Sequence, residues 1–265
     1  MMRRRDLLAA PSLSLFAAPY KGPIIDTHVH FYDPGRPQGV PWPPKNDELL
    51  YRRTMPDDFR EAAKGQGITG VIIVEASAWF EDNQWIIDLG KKDRLVVGVV
   101  GHVEPGKVDQ FVKEPLFRGI RLNGNQIKSI SREDMKRLSD ADLTLDAIGP
   151  ATMFGDLLRL SDAVPDLRIV IDHLPLYAKA DMRELAPRKH IYAKSSGTPI
   201  KEKLEEMWEV FGRDRIIYSS NWPVSNKVGL YAQAVKAARD FFTAKAAEHY
   251  LWKNSQAAYK WKQRV

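Results

Sequence analysis

Cysteine is absent from the 265-residue chain, and so is any apolar run long enough to cross a bilayer. The absence of cysteine excludes disulfides, thiolate metal ligands and a cysteine nucleophile. A membrane-spanning helix needs about 20 apolar residues, so we expect no membrane insertion. Any chemistry must therefore use histidines, carboxylates and other polar side chains.

A strong charge of one sign is also lacking, although the formal net charge is +6. Lysine and arginine alternate with aspartate and glutamate along the whole chain, so the sequence predicts no nucleic-acid partner. Apolar residues make up 44% and aromatic residues 10%, which is typical of a globular protein. We expect a small-molecule substrate and leave a homo-oligomer open.

The amino terminus differs from the rest of the chain. Three arginines at positions 3–5 precede an apolar run of small residues that ends at Ala18. This pattern predicts an export signal over residues 1–18, resembling the twin-arginine type, and a barrel domain over residues 19–265. The protein is then expected to be periplasmic or secreted. A basic tail on a cytoplasmic enzyme is the alternative.

Short β-rich apolar runs alternate with helical patterns from residue 24 onward, and there are eight of them. The runs are Ile24–His28, Gly70–Glu75, Leu95–Val100, Gly119–Leu122, Leu143–Asp146, Arg168–Asp172, His190–Lys194 and Arg215–Ser219. Nearly continuous Val, Ile and Leu is typical of parallel strands that are buried on both faces. Eight strand–helix units predict a single (β/α)₈ TIM barrel of the α/β class. A doubly wound sheet is the alternative, but the glycine-rich phosphate turn is missing after the first strand.

Amphipathic patterns predict helices between these strands, and one further helix after the last barrel unit. The predicted helices include Pro56–Lys64, Asn83–Lys91, Met153–Ala163, Pro199–Phe211 and a closing helix over Ala244–Lys262. A proline-rich loop at residues 31–55 follows the first strand and contains Trp42. Loops after barrel strands lie on the catalytic face, so this loop is expected to be a lid or a specificity wall.

Histidines at the ends of two predicted strands are the strongest local signal for a site. His28 and His30 alternate along the first strand, so both side chains are expected to point into the barrel at its carboxyl end. His173 ends the sixth strand in the same way. Three imidazoles at one barrel mouth could hold a divalent metal such as zinc, although a His-x-His pair alone is also compatible with ordinary polar packing.

Several motifs together resemble the amidohydrolase-related barrel family, specifically its lactonase branch. The matching segments are Ile25–Tyr32 (IDTHVHFY), Gly119–Leu122 (GIRL), Ile171–Pro175 (IDHLP), Ala193–Gly197 (AKSSG), Ser219–Val224 (SSNWPV) and Asn254–Tyr259 (NSQAAY). The resemblance implies opening of sugar-acid or pyrone dicarboxylate lactones. It further implies that the histidines form the polar or metal-binding site. Members of this branch work with or without metal, so metal independence stays open.

One position departs from the family pattern. The strand-eight position that carries an aspartate general base in the family is Asn221 here, and an amide cannot accept a proton at neutral pH. Either another residue is the base or the function has changed. The candidate replacements are Glu75, Asp146, His102 and His173. We favour Glu75, because strand two adjoins strand one; pairing with Arg121 is the alternative role for this glutamate.

Four further side chains are candidates for contacts to substrate. Arg121 and Lys194 could orient a carboxylate or polarise a carbonyl, or could instead neutralise barrel carboxylates. Trp222 and Trp79 could stack on a sugar-sized ring, and core packing is the alternative for both.

The leading hypothesis is a hydrolase that adds water to a lactone at this histidine-lined site. A metal-dependent decarboxylase of the same superfamily is one alternative. A non-catalytic binding barrel is the other, and Asn221 is the evidence that favours it.

Overall fold

The structure, a computed structural model, describes residues 20–174, 182–196, 201–229, 231–241 and 244–264. The predicted export signal lies outside these residues. So do Pro175 and Gly197 of the family motifs and Pro199, the first residue of one predicted helix.

Eight strands follow one another through the described chain. They are β1 (Ile25–Val29), β2 (Gly70–Val74), β3 (Val96–Gly101), β4 (Phe117–Asn123), β5 (Thr144–Ile148), β6 (Arg168–Ile171), β7 (Ile191–Lys194) and β8 (Ile216–Ile217). Each predicted run overlaps one of these strands, and the ends differ by a few residues.

Helices separate most of the strands. They are α1 (Pro56–Ala62), α2 (Asp82–Lys92), α3 (Gly124–Ser129), α4 (Arg132–Asp140), α5 (Phe154–Ala163), α6 (Lys201–Phe211), α7 (Tyr231–Phe241), α8 (Ala244–Glu248) and α9 (Asn254–Tyr259). No helix within the described ranges has both the length and the apolar character needed to cross a membrane.

The eight strands form one sheet in sequential order, and every neighbouring pair is parallel. Closure comes from the residues just beyond β8: Trp222 forms a parallel bridge with Val29, and its carbonyl accepts a hydrogen bond of 2.9 Å from the His30 amide. Sequential parallel order with closure confirms the predicted TIM barrel and excludes the doubly wound alternative.

The last strand is shorter than predicted. The sequence predicts a strand over Arg215–Ser219, but the ladder with β7 ends at Ile217. The next amide, that of Tyr218, donates instead to the carbonyl of Tyr250 at 3.0 Å. The carboxyl-terminal helix therefore takes the hydrogen bond that would have continued the strand.

The closing helix is likewise not continuous. A π-helical turn at His249–Lys253 separates α8 from α9, and α9 ends at Tyr259, where Lys260 adopts a φ of +54°. A left-handed residue commonly terminates a helix, so the predicted extension to Lys262 is wrong.

A separate apolar cluster joins strand residues to the carboxyl terminus. Its strand members are Ile25, Ile72, Val74, Val97, Val100, Val170 and Ile217, and its carboxyl-terminal members are Ala258, Tyr259 and Trp261. The Ala258 carbonyl accepts hydrogen bonds from Thr144 and Arg168, which are the first residues of β5 and β6. The chain terminus thus covers the amino-terminal end of the barrel, and the opposite end carries the candidate site.

Candidate active site

His28 of strand β1 and His30, just after that strand, meet at the carboxyl end of the barrel. Their Nε2 atoms lie 3.2 Å apart, and both side chains are buried. The ladder between β1 and β2 shifts register between Asp26 and Val29. This irregularity occurs within the Asp-Thr-His-Val-His segment that brings the two rings together.

The proton of His30 can be assigned from its surroundings. Its Nδ1 lies 2.9 Å from the carbonyl oxygen of Val74, which can only accept a hydrogen bond. Burial, with a smaller effect from the charge of Arg121, lowers the pKa of His30 to about 3, so the ring is neutral at pH 7. Its single proton is therefore on Nδ1, and the Nε2 lone pair faces His28.

His28 faces a carboxylate on its other side. Its Nδ1 lies 3.5 Å from an oxygen of Asp172, and burial lowers its pKa well below the ordinary value. Nδ1 of His28 and Oδ2 of Asp172 have no hydrogen-bond partner within the described part of the chain, while Oδ1 of Asp172 lies 3.1 Å from Nζ of Lys194. Buried polar atoms without partners are costly, which is the condition that a bound cation would relieve.

Asp172 and His173 complete a group of candidate metal ligands with His28. One potential ligand atom from each of the three residues lies within 4.8 Å of the others, and all three are buried. His173 adopts a φ of +54°, a left-handed conformation that is uncommon outside glycine and concentrated at functional sites. The predicted set was His28, His30 and His173. The structure adds Asp172 to this region and places His30 beside His28.

Lys194 lies below the histidines in a fully buried cluster of charges. Its Nζ is 2.6 Å from Asp146 and 3.1 Å from Asp172, and all three side chains have no exposed surface. Tyr259, from the carboxyl terminus, donates its hydroxyl to Asp146 at 2.8 Å. Burial raises the pKa of Asp146 to about 7 despite the opposing charge of Lys194. Of the two roles predicted for Lys194, these contacts correspond to neutralisation of barrel carboxylates.

Glu75 and Arg121 form an ion pair at the edge of the site. Nε of Arg121 donates to the Glu75 carboxylate at 2.9 Å, and its Nη2 donates to the Glu75 carbonyl at 2.6 Å. Both side chains retain 14% exposure, unlike the Lys194 cluster. Burial raises the pKa of Glu75 above its ordinary value, and Arg121 opposes that rise. This glutamate is thus accessible and more basic than a solvated one.

Asn221 lies where the sequence places it, beside the histidines. Its side chain interacts with that of His30, and its φ is +58°. Asparagine tolerates this left-handed conformation better than most residues.

Three other candidate residues have different surroundings. Trp222 is buried against Phe31 and Phe59, with ring centroids at 6.1 and 5.4 Å, so its observed contacts are those of core packing. Trp79 is 37% exposed in the loop after β2. His102 is half-buried after β3, and its backbone is held by Asn83.

The proline-rich loop brings an aromatic wall to the site. The half-buried Trp42 ring lies edge-on to His30 at 5.6 Å and to Tyr32 at 5.4 Å. Paired backbone hydrogen bonds between Tyr32 and Thr54, of 3.0 and 2.9 Å, close the base of the loop. An ion pair between Arg36 and Asp82 fastens the loop to α2. These contacts hold Trp42 in a fixed place.

Two residues of the site were missed from the sequence. Asp172 precedes His173 directly and was treated only as the end of a strand. Ser196, in the AKSSG segment, has its hydroxyl hydrogen-bonded to Nδ1 of His173. Both residues lie next to predicted site residues and within the IDHLP and AKSSG motifs, which was the available signal, but side-chain direction at a strand end depends on local backbone conformation.

Comparison with known proteins gives the same family that the motifs resemble. The sequence matches the family described as amidohydrolase over residues 25–261. It is 27% identical over 241 residues to L-fucono-1,5-lactonase of Burkholderia ambifaria, covering 77% of this chain and 82% of that protein.

Solved structures share the fold at lower identity. An amidohydrolase from Burkholderia multivorans with bound zinc superposes with a TM-score of 0.78 at 19% identity, covering 91% of this chain and all of that one (100%). The 2,6-dihydroxybenzoate decarboxylase from Rhizobium gives a TM-score of 0.70 at 16% identity, over 89% and 98% of the two chains. These likenesses concern the fold alone. With the family match spanning nearly the whole chain, this protein belongs to the amidohydrolase family.

Proposed function

We propose that this protein is a lactonase that hydrolyses the ring ester of a sugar-acid lactone. The observation that carries the proposal is the meeting of three buried, neutral histidines with the Glu75–Arg121 pair at one barrel mouth. The similarity to an L-fucono-1,5-lactonase supports the choice of reaction and of a sugar-derived ring.

A divalent metal fits the donor atoms of the site, and zinc is the ion that we propose. His28, His173 and Asp172 would hold it. The fit rests on Nδ1 of His28 and Oδ2 of Asp172, which are buried and have no hydrogen-bond partner within the described part of the chain. When bound, such an ion supplies Lewis acidity toward a carbonyl oxygen and lowers the pKa of water.

Glu75 is the residue that we assign as general base. Glu75 directly follows strand β2, which pairs with strand β1, and His28 lies on β1. Removal of a proton from water by a positioned base contributes on the order of 10² to 10⁴ in rate, and a raised pKa makes a carboxylate better suited to this role. Arg121 holds the carboxylate in place and keeps a cationic group beside the reacting carbonyl.

Asn221 then has a supporting role in place of the missing aspartate. Its side chain contacts His30, and a neutral amide there can orient water or substrate by hydrogen bonds.

In the reaction, water adds to the ring carbonyl and its proton goes to Glu75. The bond from the carbonyl carbon to the ring oxygen breaks, and that oxygen takes up the proton from Glu75, giving a hydroxy acid and restoring the base.

The test uses a panel of aldonolactones, aromatic lactones and dihydroxybenzoates, since ring opening releases acid and decarboxylation releases carbon dioxide. We expect ring opening by the wild-type protein and a loss of at least about 100-fold in Glu75→Gln. Glu81→Gln, an exposed glutamate in the same loop, is the matched control and keeps full activity. Turnover of dihydroxybenzoates without lactone opening, or no turnover of any compound, would overturn the proposal.

A further inference from the structure

A cavity of about 340 Å³ opens at the carboxyl ends of β4 and β5, on the face of the barrel that carries the candidate site. Asn123 and Ile148 line it, and these two residues are partners in the ladder between the two strands. Its volume lies within the range of small-molecule sites, which is about 300–1,000 Å³. The reaction proposed above assigns no role to either residue.

The ladder between β4 and β5 places this cavity beside the proposed reaction centre. Arg121 and Asp146 are partners two residues earlier on the same strands. Residues two apart on a strand point to the same side, and two residues advance about 7 Å. Arg121 reaches Glu75, and Asp146 is buried against Lys194, so that side is the interior of the barrel. The cavity therefore begins one step of two residues farther out on the same inner face.

Polar and apolar groups share the lining of the cavity. Oδ1 of Asn123 accepts two backbone hydrogen bonds, which leaves its Nδ2 group to donate. The amide of Asn125 and the hydroxyl of Thr152 can both donate and accept. Pro150 and Met153 add apolar surface. A sugar ring presents the matching combination of hydroxyl groups and C–H faces.

The charges around the cavity favour a neutral ligand. Lys128 and Asp156 bring one positive and one negative charge to the lining. Arg159 pairs with Asp156 from outside the lining and is 72% exposed, so solvent screens its charge. An anionic group would be repelled by Asp156, whereas a hydroxyl can accept from the Lys128 ammonium and donate to the Asp156 carboxylate.

We propose that this cavity binds a second sugar unit, so that the preferred substrate is the lactone of a disaccharide acid. The inference rests on the lactonase reaction of the proposed function. With the ring carbonyl at the histidines and Glu75, a sugar attached to the far side of the lactone ring would extend past Arg121 into the cavity. Lys128 and Thr152 would contact that sugar and not the reacting ring, which makes them specificity-determining residues.

The experiment compares kcat/KM for cellobionolactone with kcat/KM for gluconolactone, which has the same lactone ring without the second sugar. We expect the wild-type protein to favour the disaccharide lactone by at least about tenfold, as one or two added hydrogen bonds would. Thr152→Trp, which fills the cavity, should abolish this preference, and Lys128→Ala should lower it by about fivefold. Glu133→Trp, exposed on α4 and outside the lining, is the matched control and should keep the wild-type ratio.

Calorimetric binding of cellobionate and gluconate, the product acids, supplies a second readout that needs no turnover. Cellobionate should bind more tightly than gluconate to the wild type, and Thr152→Trp should remove the difference. A wild-type ratio near one, or a preference that survives both substitutions, would overturn the inference. A preference for glucarolactone, an anionic monosaccharide lactone, over cellobionolactone would overturn the assignment of a neutral sugar. If neither lactone is opened, the proposed function fails, and equal binding of the two acids would then overturn this inference as well.

Discussion

We predict that Lys194→Met strongly lowers the free energy of unfolding. The substitution keeps the length of the side chain and removes a charge that lies 2.6 Å from Asp146 and 3.1 Å from Asp172. At an effective dielectric constant of about 20, the attraction across the 2.6 Å contact is roughly 6 kcal/mol. Removing one partner of a buried ion pair leaves a net loss of about 3–5 kcal/mol, because the other charge stays buried.

The pH dependence of that loss follows from the carboxylates left behind. Without Lys194, burial and mutual repulsion raise the pKa of Asp146 and Asp172 in the folded state above their unfolded values. Groups with raised pKa values favour folding at low pH and oppose it as pH rises through the folded pKa. The deficit of the variant should therefore be smallest near pH 5 and should grow toward pH 8.

The assay is urea unfolding of metal-free protein at pH 5, 6, 7 and 8, with Lys136→Met as the control. Lys136 also lies 2.6 Å from an aspartate, Asp140, but these side chains are 60% and 62% exposed, so no measurable change is expected. Adding Asp146→Asn to Lys194→Met should restore at least about 1 kcal/mol. A loss below about 1 kcal/mol, or one that does not vary with pH, would refute the reasoning about the buried cluster.

Three further predictions concern activity. On the acid side, kcat/KM should fall at a pH above the ordinary pKa range of a glutamate, because the base must be deprotonated and burial raises the pKa of Glu75. Glu75→Gln should remove this acid-side fall. An unchanged pH profile in that variant would assign the fall to another group. Asn221→Asp introduced into Glu75→Gln should raise the lactonase rate by at least about tenfold if a carboxylate at strand eight can reach the same water, and no gain would place the water elsewhere. Trp42→Ala should raise KM for sugar lactones by about fivefold with little change in kcat, since loss of a stacking face costs about 1 kcal/mol. Leu49→Ala, exposed in the same loop, should change neither constant.

The barrel could be predicted because its strands are continuous apolar runs separated by amphipathic helices. Segments such as Gly70–Val74 are buried at every position, so pattern and structure coincide. The errors lie where tertiary contacts compete with local pattern. The strand signal after Ile217 is overridden by the Tyr250 carbonyl, and the closing helix is interrupted by a π turn that the helical period does not indicate.

The sequence predicts the proximity of the histidines better than the contacts of the charged residues. Alternation along β1 places His28 and His30 together, and the structure confirms that proximity at 3.2 Å. The contacts of Lys194 depend on carboxylates from two other strands, which no local pattern reveals. The roles assigned to Glu75, Arg121, Asn221 and Trp222 stay predictions, as do export of the chain and its oligomeric state.

The most direct test of the account is to measure bound metal and the initial rate of aldonolactone opening in the same purified sample, before and after chelation. We predict about one divalent ion per chain, loss of lactone opening when the ion is removed, and recovery when Zn²⁺ is restored. Ring opening that continues at full rate in metal-free protein would contradict the assignment of His28, Asp172 and His173 as a catalytic metal site.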